Sequence, residues 1–276
     1  MPLASRTRLR HISSAQNPLV KELRRAFSRG EPTPDGHCAI EGLRIAEEAI
    51  RSGLRFRAVF FRESAIAAAG RLLPQIGAQV ETVELPDAVF DSAVATETPQ
   101  GVAALVKLKS FVLEDVLRLP EPLLVVAAGL QDPGNLGTLL RSAEAFGATG
   151  MLLAEKTVSH LSPKTVRASA GSVFRLPVIT VTLHDCLSRL RQAGVRLVAT
   201  SSHKGTPAYE ADLSGKLALF IGNEGAGLPR EVMKEMDETV VVPHSAKVDS
   251  LNAAIAASIL LYEAARQRRG FVICDL

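Results

Sequence analysis

Short apolar runs recur through the second half of the chain, and stretches with helical spacing of apolar residues separate them. Short apolar runs bounded by turn residues are typical of buried strands in a parallel sheet. Strands that alternate with helices in this way predict an α/β fold with a parallel sheet covered on both faces. The predicted strands are Leu123–Leu130, Met151–Leu153, Val178–Val181, Arg196–Thr200, Leu217–Ile221 and Thr239–Val242.

The first hundred or so residues also alternate between helical and strand patterns. Asn17–Ser28 is predicted to be a helix because Leu19, Leu23 and Phe27 recur at four-residue spacing. The pattern predicts a compact α/β unit without a recognisable catalytic motif. A charged, proline-containing stretch then separates the halves. The expected domains are residues 1–110, a linker at 111–122, and a second domain at 123–276. The predicted elements of the first domain are strands at Cys38–Glu41, Phe56–Phe61, Gln79–Val83 and Val102–Leu108, and helices at Arg44–Ser52, Ala65–Leu73 and Ala88–Ala93.

A chain of 276 residues, 47% of them apolar, is long enough for two ordinary domains with substantial cores. It has no apolar run of the roughly 18 residues that a membrane span needs. The basic start of the sequence lacks the apolar segment of a secretory signal. We therefore expect a soluble cytoplasmic protein with no membrane partner.

The cysteines and histidines do not indicate a metal centre. Cys38, Cys186 and Cys274 lie far apart, and the six histidines show no metal-ligand spacing. Neither a disulfide framework nor a zinc site is supported. We expect no structural metal.

Positive charge is concentrated at the two ends of the chain, although the net charge is only +3. Residues 1–30 contain six arginines and one lysine against one glutamate, and the C-terminal helix ends in further arginines. Such clusters fit an anionic partner such as nucleic acid. The alternative is an ordinary basic helix face in contact with water.

The stretch from residue 217 to residue 262 carries the strongest sign of a binding site. A predicted strand ends in the glycine-rich loop Gly222–Gly227, and the next strand is followed by a polar loop and a helix that starts near Ser250-Leu251-Asn252. Ligands of open α/β sheets bind at the carboxyl ends of the strands. This arrangement predicts a small-molecule site built largely of backbone, with Glu224, Ser250 and Asn252 at its rim. The alternatives are an ordinary strand-to-helix turn and simple capping roles for Ser250 and Asn252.

A second polar motif follows strand 123–130. Asn135 is expected to cap a helix that stops near Gly147, and Arg141 lies one turn into that helix, off its buried stripe. The alternatives are a capping asparagine and a surface pair between Arg141 and Glu144. Further along, Arg167 and Ser169 are positioned either to contact phosphate or to lie on an ordinary surface.

In this order and spacing, the motifs resemble those of the SpoU (TrmH) branch of the SPOUT RNA 2′-O-ribose methyltransferases. The matching pieces are Asn135-x5-Arg141, Gly222-x-Glu224-Gly225-x-Gly227, and Val242-Pro243 with Ser250-Leu251-Asn252. The first domain resembles the L30e-like substrate-binding domain of the ribosomal-RNA members. Its matching pieces are Ile12-Ser13-Ser14 with Asn17-Pro18, Glu41-Gly42 with Arg44, and Thr98-Pro99-Gln100-Gly101-Val102.

The resemblance implies a C-terminal SPOUT domain with a deep trefoil knot that holds S-adenosylmethionine, completed by a homodimer. It places cofactor contacts at Gly222, Val242 and Leu251. The catalytic positions are Asn135, Arg141, Glu224, Ser250 and Asn252. The expected partner is RNA, with Arg24, Arg25, Arg44 and Arg167 as candidate contacts. One departure stands out: His244-Ser245-Ala246 follows Pro243, where the family usually has Met, a variable residue and Gly. Because Ala246 cannot take a positive φ cheaply, we expect this loop to run differently.

The implied reaction is attack of a ribose 2′-hydroxyl on the methyl group of the cofactor. An arginine keeps its proton in proteins, so Arg141 is better suited to clamping phosphate and the developing oxyanion than to acting as a base. Glu224 is expected to fix Arg141 or the ribose. Ribosomal RNA of the large subunit is the expected substrate. The alternatives are a tRNA 2′-O-methyltransferase, a non-catalytic RNA-binding protein of the same fold, and a nicotinamide-dependent oxidoreductase.

Overall fold

A computed structural model of the chain describes residues 8–94, 96 and 98–268. These residues form two compact units. The first contains the described residues up to Lys109 together with Ser159–Phe174, and the second contains Ser110–Val158 and the described residues from Arg175 onward. Ser159–Phe174 therefore packs with the first unit, although the strands before and after it in the sequence belong to the second.

The first unit contains a five-stranded mixed sheet with the order β1-β4-β3-β5-β2. Strands β1, β4 and β3 are parallel, whereas β5 is antiparallel to both β3 and β2. The predicted strand at 79–83 lies two residues later, and 56–61 lies inside a longer strand. The strands are β1 Arg10–His11, β2 His37–Glu41, β3 Arg55–Arg62, β4 Glu81–Leu85 and β5 Val102–Lys107.

Ten α-helices occur in the described part of the chain. The helix expected at 65–73 is instead a 3₁₀ segment, Glu63–Ala68, followed by one α-helical turn. The helices are α1 Pro18–Arg29, α2 Leu43–Arg51, α3 Ala69–Leu72, α4 Asp87–Ala93, α5 Leu113–Leu117, α6 Pro133–Ala145, α7 Pro163–Ala168, α8 Leu183–Gln192, α9 Arg230–Lys234 and α10 Ala253–Gln267.

The second unit contains a seven-stranded sheet in which every pairing is parallel, in the order β10-β12-β9-β11-β6-β7-β8. The expected open parallel sheet with an N-terminal α/β domain is confirmed. Strand β11 lies between β6 and β9, with Leu217 paired to both Leu123 and Arg196. The strands are β6 Leu123–Ala127, β7 Gly150–Leu153, β8 Val178–Thr180, β9 Arg196–Ser201, β10 Thr206–Pro207, β11 Leu217–Ile221 and β12 Glu238–Val241.

The central strands β6 and β11 are buried at every residue, as their unbroken apolar sequences predict. One face of this sheet forms a core that includes Leu124 and Phe220. Helix α5, which falls in the stretch expected to be a linker, adds Leu113 and Val116 to the same core. The stretch 111–122 is therefore partly helical and packed.

Helix α10 packs against α6, which carries the first polar motif. Ser258 donates a hydrogen bond of 2.7 Å to Ser142, and the rings of Phe146 and Tyr262 meet edge to face with centroids 5.8 Å apart. Ala254 and Ala257 of α10 are buried, so small residues serve packing within the unit. None of the described helices is long and apolar enough to cross a membrane.

Candidate active site

A cavity of about 340 Å³ lies where the loops after β9, β11 and β12 meet. Because these strands are neighbours in a parallel sheet, their carboxyl ends share one edge. Gly222, Val242 and Leu251, expected from the resemblance to contact a cofactor, all line the cavity. Glu224 and Ser250 line it as well.

The part of the cavity wall that follows β9 could not be predicted from the sequence. Residues 200–203 line the cavity, but no motif marks them. They lie there because β9 is placed between β11 and β12. Strand order depends on long-range pairing, so spacing along the chain could not reveal it.

The glycine-rich loop is closed on itself by Asn223. Its main chain exchanges two hydrogen bonds with Gly227, of 3.1 and 2.9 Å. Its side-chain oxygen accepts from the N–H groups of Gly225 and Ala226, and its side-chain amide donates to the carbonyl of Gly129 at 2.9 Å. Asn223 therefore fixes both the shape of the loop and its distance from the loop after β6. Sequence reasoning overlooked this residue.

Gly222 is required by close packing of the main chain rather than by a positive φ. A Cβ atom at this position would lie against the main-chain carbon of Gly227 and 2.5 Å from the nitrogen of Leu228. Since backbone atoms cannot move aside as a flexible side chain can, only glycine fits here. The close turn brings the main chain of residues 222–227 to the cavity wall.

The loop after β12, which contains His244-Ser245-Ala246, needs no positive φ at Ala246. His244 Nδ1 lies 2.8 Å from the carbonyl oxygen of Val242, and the N–H of Val248 donates to the carbonyl of Ser245. Among described non-glycine residues, only Lys156 and Ala170 have positive φ. Ala246 therefore does not take the conformation for which the family usually has glycine, and His244 lines the cavity.

Three polar side chains that are far apart in the sequence form a hydrogen-bonded chain beside this cavity. Asn252 Nδ2 donates to Asn135 Oδ1 at 2.9 Å, and Asn135 Nδ2 donates to Glu224 Oε1 at 3.0 Å. The Glu224 carboxylate also lies 3.3–3.4 Å from the main-chain nitrogens of Asp132 and Gln131. Asn135, Glu224 and Asn252, which the sequence analysis selected, thus lie together. We refer to these three residues as the amide–carboxylate network.

The environment of Glu224 favours its ionised form. Partial burial by itself raises the pKa of Glu224, but hydrogen bonds from Asn135 and from main-chain N–H groups outweigh this effect. The pKa of Glu224 therefore lies below its ordinary value of 4.5. A carboxylate that is ionised at neutral pH can keep both asparagine side chains oriented.

The capping roles differ from those expected. Asp132, not Asn135, caps α6: its side chain accepts from the N–H of Asn135 at 2.8 Å. Because this cap lies three residues earlier, the side chain of Asn135 is free to join the network. At α10 the cap is Asn252, whose side-chain oxygen accepts from Ala254 and Ile255, so the alternative of Ser250 as the cap is wrong.

Arg141 lies apart from the network. Arg141 follows Asn135 by six positions, which places the two side chains about 120° apart around α6. Arg141 is exposed and is absent from the described residues that line the cavity. The expected contact with Glu224 is replaced by the Glu224–Asn135 bond. Glu144, the alternative partner of Arg141, binds Arg175 at 2.6 Å.

The four candidate RNA-binding arginines all lie in the first unit, including Arg167 of the segment 159–174. Arg25 and Arg44 are exposed. Arg24 donates to the carbonyl and hydroxyl of Ser92, at 2.9 and 3.0 Å, so part of its hydrogen-bonding capacity is already used. Ser169 is buried and donates to the carbonyl of Val166, which removes it as a phosphate ligand.

Two of the three cysteines are buried and unsuited to nucleophilic chemistry. Burial raises the pKa of the Cys38 and Cys186 thiols to about 12 in each case. Cys274 lies outside the described residues. No group of His, Cys, Asp and Glu among the described residues is arranged to hold a metal ion.

Both units match known protein families. Residues 122–262 match the SpoU rRNA Methylase family, and residues 17–104 match an MRM3-like substrate binding domain. The chain is 32% identical over 254 residues to the 23S rRNA (guanosine(2553)-2'-O)-methyltransferase RlmP of Bacillus subtilis, covering 92% of this chain and 98% of that relative.

Solved structures agree with these matches. The crystal structure of an AdoMet-bound rRNA methyltransferase from Sinorhizobium meliloti has a TM-score of 0.79 and 30% identity, covering 94% of this chain and 98% of that one. The SpoU methyltransferase AviRb from Streptomyces viridochromogenes, in complex with AdoMet, has a TM-score of 0.78 and 29% identity, covering 91% and 98%.

Together with these likenesses, the parallel sheet and its backbone-lined cavity define an RNA methyltransferase. The chain belongs to the SpoU rRNA Methylase family, joined to an MRM3-like substrate binding domain. The alternative of a nicotinamide-dependent oxidoreductase is wrong.

Proposed function

We propose that this protein transfers a methyl group from S-adenosylmethionine to a ribose 2′-hydroxyl of large-subunit ribosomal RNA. The observation that carries the proposal is the amide–carboxylate network of Asn135, Glu224 and Asn252, which lies beside the cavity lined by Gly222, Val242 and Leu251. The name of the Bacillus subtilis relative, a 23S rRNA 2′-O-methyltransferase, supports the choice of substrate.

The cavity fits S-adenosylmethionine in size and in chemistry. Its volume of about 340 Å³ falls in the range of small-molecule sites. The tight turn at Gly222 brings the main chain of residues 222–227 to the cavity wall, where N–H and carbonyl groups could bind polar atoms of the ligand. Gly222, Val242 and Leu251 would hold the cofactor, with residues 200–203 closing one side. When bound, the cofactor supplies an electrophilic methyl carbon on a sulfonium.

Residues of the protein would orient the RNA and stabilise the negative charge that develops during methyl transfer. Asn135 and Asn252, held by Glu224, would fix the ribose beside the cavity, and Ser250 at the cavity wall would hold the substrate or the loop. The Arg141 guanidinium would bind the target phosphate and stabilise the negative charge that develops on the 2′-oxygen.

We further propose that the active form is a homodimer and that Arg141 acts across its interface. Helix α10 exposes Ile255, Ile259 and Tyr262, which recur at the spacing of one helical face and are 49%, 39% and 52% exposed. A contiguous apolar face of this kind is typical of protein interfaces. The absence of Arg141 from the described residues that line the cavity of its own subunit supports a role in trans. The trefoil knot implied by the family resemblance is part of the same proposal.

Transfer of labelled methyl groups tests the activity. Purified protein would be incubated with tritiated S-adenosylmethionine and with unmodified transcripts of 23S ribosomal RNA and of tRNA, and nucleoside analysis would locate the label. We expect 2′-O-methylated nucleoside from the ribosomal transcript. Label in tRNA alone would contradict the substrate. Calorimetry showing cofactor binding without transfer to either RNA would indicate the non-catalytic alternative.

A further inference from the structure

Glu41, the last residue of β2, is the only acidic or basic residue in the buried class among the residues that the structure describes. Its side chain is 2% exposed. Burying a carboxylate is costly unless hydrogen bonds and a cation compensate. The residues around Glu41 therefore show what this carboxylate does.

Two of its partners belong to the segment that precedes β5. Thr96 Oγ1 donates to Glu41 Oε2 at 2.7 Å, and the main-chain N–H of Gln100 donates to Oε1 at 2.9 Å. Gly42, with φ of 103°, packs so closely that a Cβ there would lie 2.6 Å from the side-chain oxygen of Gln100. Two of the three short motifs of the first domain, Glu41-Gly42 and Thr98–Val102, thus meet at one carboxylate.

The third partner of Glu41 is an arginine from the segment Ser159–Phe174, which packs with the first unit. Arg167 of α7 lies with Nη1 3.7 Å from Glu41 Oε2. The segment is held against α2, because a Cβ on Gly171 would lie 2.8 Å from the Cβ of Glu48. The Arg167 side chain remains 37% exposed, so it is accessible to solvent although one of its nitrogens lies near the buried carboxylate.

A second cation lies near the same strand end. Arg44 follows Glu41 by three residues and is exposed. The acidic residues further along α2 are committed elsewhere, since Glu47 pairs with Arg71 at 2.8 Å and Glu48 pairs with Arg51. Exposed arginines held near a buried carboxylate are well placed to bind the phosphates of a nucleic-acid backbone. The planar guanidinium can bind a phosphate with two hydrogen bonds.

We propose that Glu41 is a positioning residue that holds Arg167 as a ligand for a backbone phosphate of the RNA substrate. The inference rests on the proposed function, because it assumes that RNA is the substrate. Glu41 itself does not touch RNA. It fixes the direction of the guanidinium, so less side-chain entropy is lost when phosphate binds.

The test measures RNA affinity at several salt concentrations with a fluorescently labelled transcript of 23S ribosomal RNA. Arg167→Ala is expected to weaken binding roughly tenfold, the low end for losing charge-assisted hydrogen bonds. It should also make the slope of log affinity against log salt shallower by about 0.7 to 0.9, the value of one phosphate contact. Arg167→Lys should restore the slope but only part of the affinity, because lysine keeps the charge and loses the fork.

Glu41→Gln should weaken RNA binding severalfold and raise the KM for RNA without changing kcat or the affinity for S-adenosylmethionine. The matched control is Glu47→Gln, which removes an arginine partner in the same unit and should leave RNA affinity unchanged. In the Arg167→Ala background, Glu41→Gln should cause no further loss, since its effect passes through Arg167.

Two outcomes would overturn the inference. One is an unchanged affinity and salt slope in Arg167→Ala, which is informative even where Glu41→Gln does not fold. The other is an equal loss from Glu41→Gln whether or not Arg167 is present, as a purely structural carboxylate would give. The binding assay does not require catalysis. If RNA affinity depended on Arg167 but the protein transferred no methyl group, the proposed activity would be refuted and the proposed RNA-binding role of Arg167 would stand.

Discussion

The side-chain amide of Asn252 donates to the side-chain oxygen of Asn135 across 2.9 Å and 117 residues of sequence. The same Asn252 caps α10 through its oxygen, which accepts from Ala254 and Ile255 at 2.9 and 3.2 Å. The side-chain oxygen of Asn252 therefore caps α10, and its side-chain amide group orients Asn135, a candidate catalytic residue. The two roles can be separated by chemistry.

Replacing Asn252 by Asp should separate capping from orientation. Aspartate caps helices as well as asparagine does and suits the positive end of the dipole, so thermal stability should stay near that of the wild type. The lost amide donor would leave an oxygen facing Asn135 Oδ1, and turnover should fall roughly ten- to a hundredfold. Asn252→Ala is the comparison, because it should lose about 1 kcal/mol of stability as well. An Asp variant with normal single-turnover rates would contradict the orienting role.

Gly222→Ala should abolish or strongly weaken cofactor binding. The new methyl group would lie 2.5 Å from the nitrogen of Leu228, and overpacking of this kind costs about 1 to 3 kcal/mol. Calorimetric titration with S-adenosylmethionine measures the loss. The comparison is Gly225→Ala in the same loop, where the nearest atom to a Cβ is 3.7 Å away and a smaller loss is expected. Equal affinity in the two variants would mean that this turn does not shape the site.

Arg141→Lys should lose most turnover while cofactor affinity persists. Lysine keeps the charge but cannot form the paired hydrogen bonds with phosphate. Methyl transfer under saturating RNA and calorimetry with S-adenosylmethionine give the two readings. A lysine variant with a near-normal rate would show that a point charge is enough and that the bidentate clamp is wrong.

Mixed dimers should reveal whether Arg141 acts in trans. Arg141→Ala and Asn252→Ala are each expected to be inactive alone. If a site uses the Arg141 of the partner subunit, a mixed dimer contains one intact site, and random mixing should restore roughly a quarter of wild-type turnover. Complete inactivity of the mixture would place Arg141 in its own subunit's site. Ile259→Glu added to both variants is the control, because a charge on the exposed face of α10 should prevent pairing and complementation.

The contribution of Glu224 to the free energy of unfolding should decrease as the pH falls into the acidic range. Because hydrogen bonds hold the pKa of Glu224 below 4.5, its contribution is fully present above that pH and is lost as the pH falls through the lower pKa of the folded state. The free energy of unfolding in urea of wild type and Glu224→Gln should differ by about 1 kcal/mol or less, since the carboxylate is largely exposed. That difference should be constant from about pH 8 to 5 and shrink below about pH 4. A difference that grew on acidification would contradict this environment.

Local patterns predicted the central strands of the second unit because β6 and β11 are continuous apolar runs, whereas the two-residue strand β10 was not predicted. Leu217–Ile221 has the bounds that its sequence predicted. The role of Asn135 was harder to predict, because Asp132 and Asn135 are both good capping residues. Only the folded helix shows that Asp132 is the cap. The adjacency of residues 200–203 to the cavity, and of Arg167 to Glu41, depends on long-range packing that no local pattern encodes.

The placement of β11 between β6 and β9 has a consequence for biosynthesis. The described residues that line the cavity all come from position 200 onward, and the last of them belong to the start of α10. A chain still emerging from the ribosome can therefore complete the first unit, whose last segment ends at Phe174, before this cavity exists. Parallel pairing between strands so distant in sequence is slow, so the ability to bind a ligand should be the last property the newborn protein acquires.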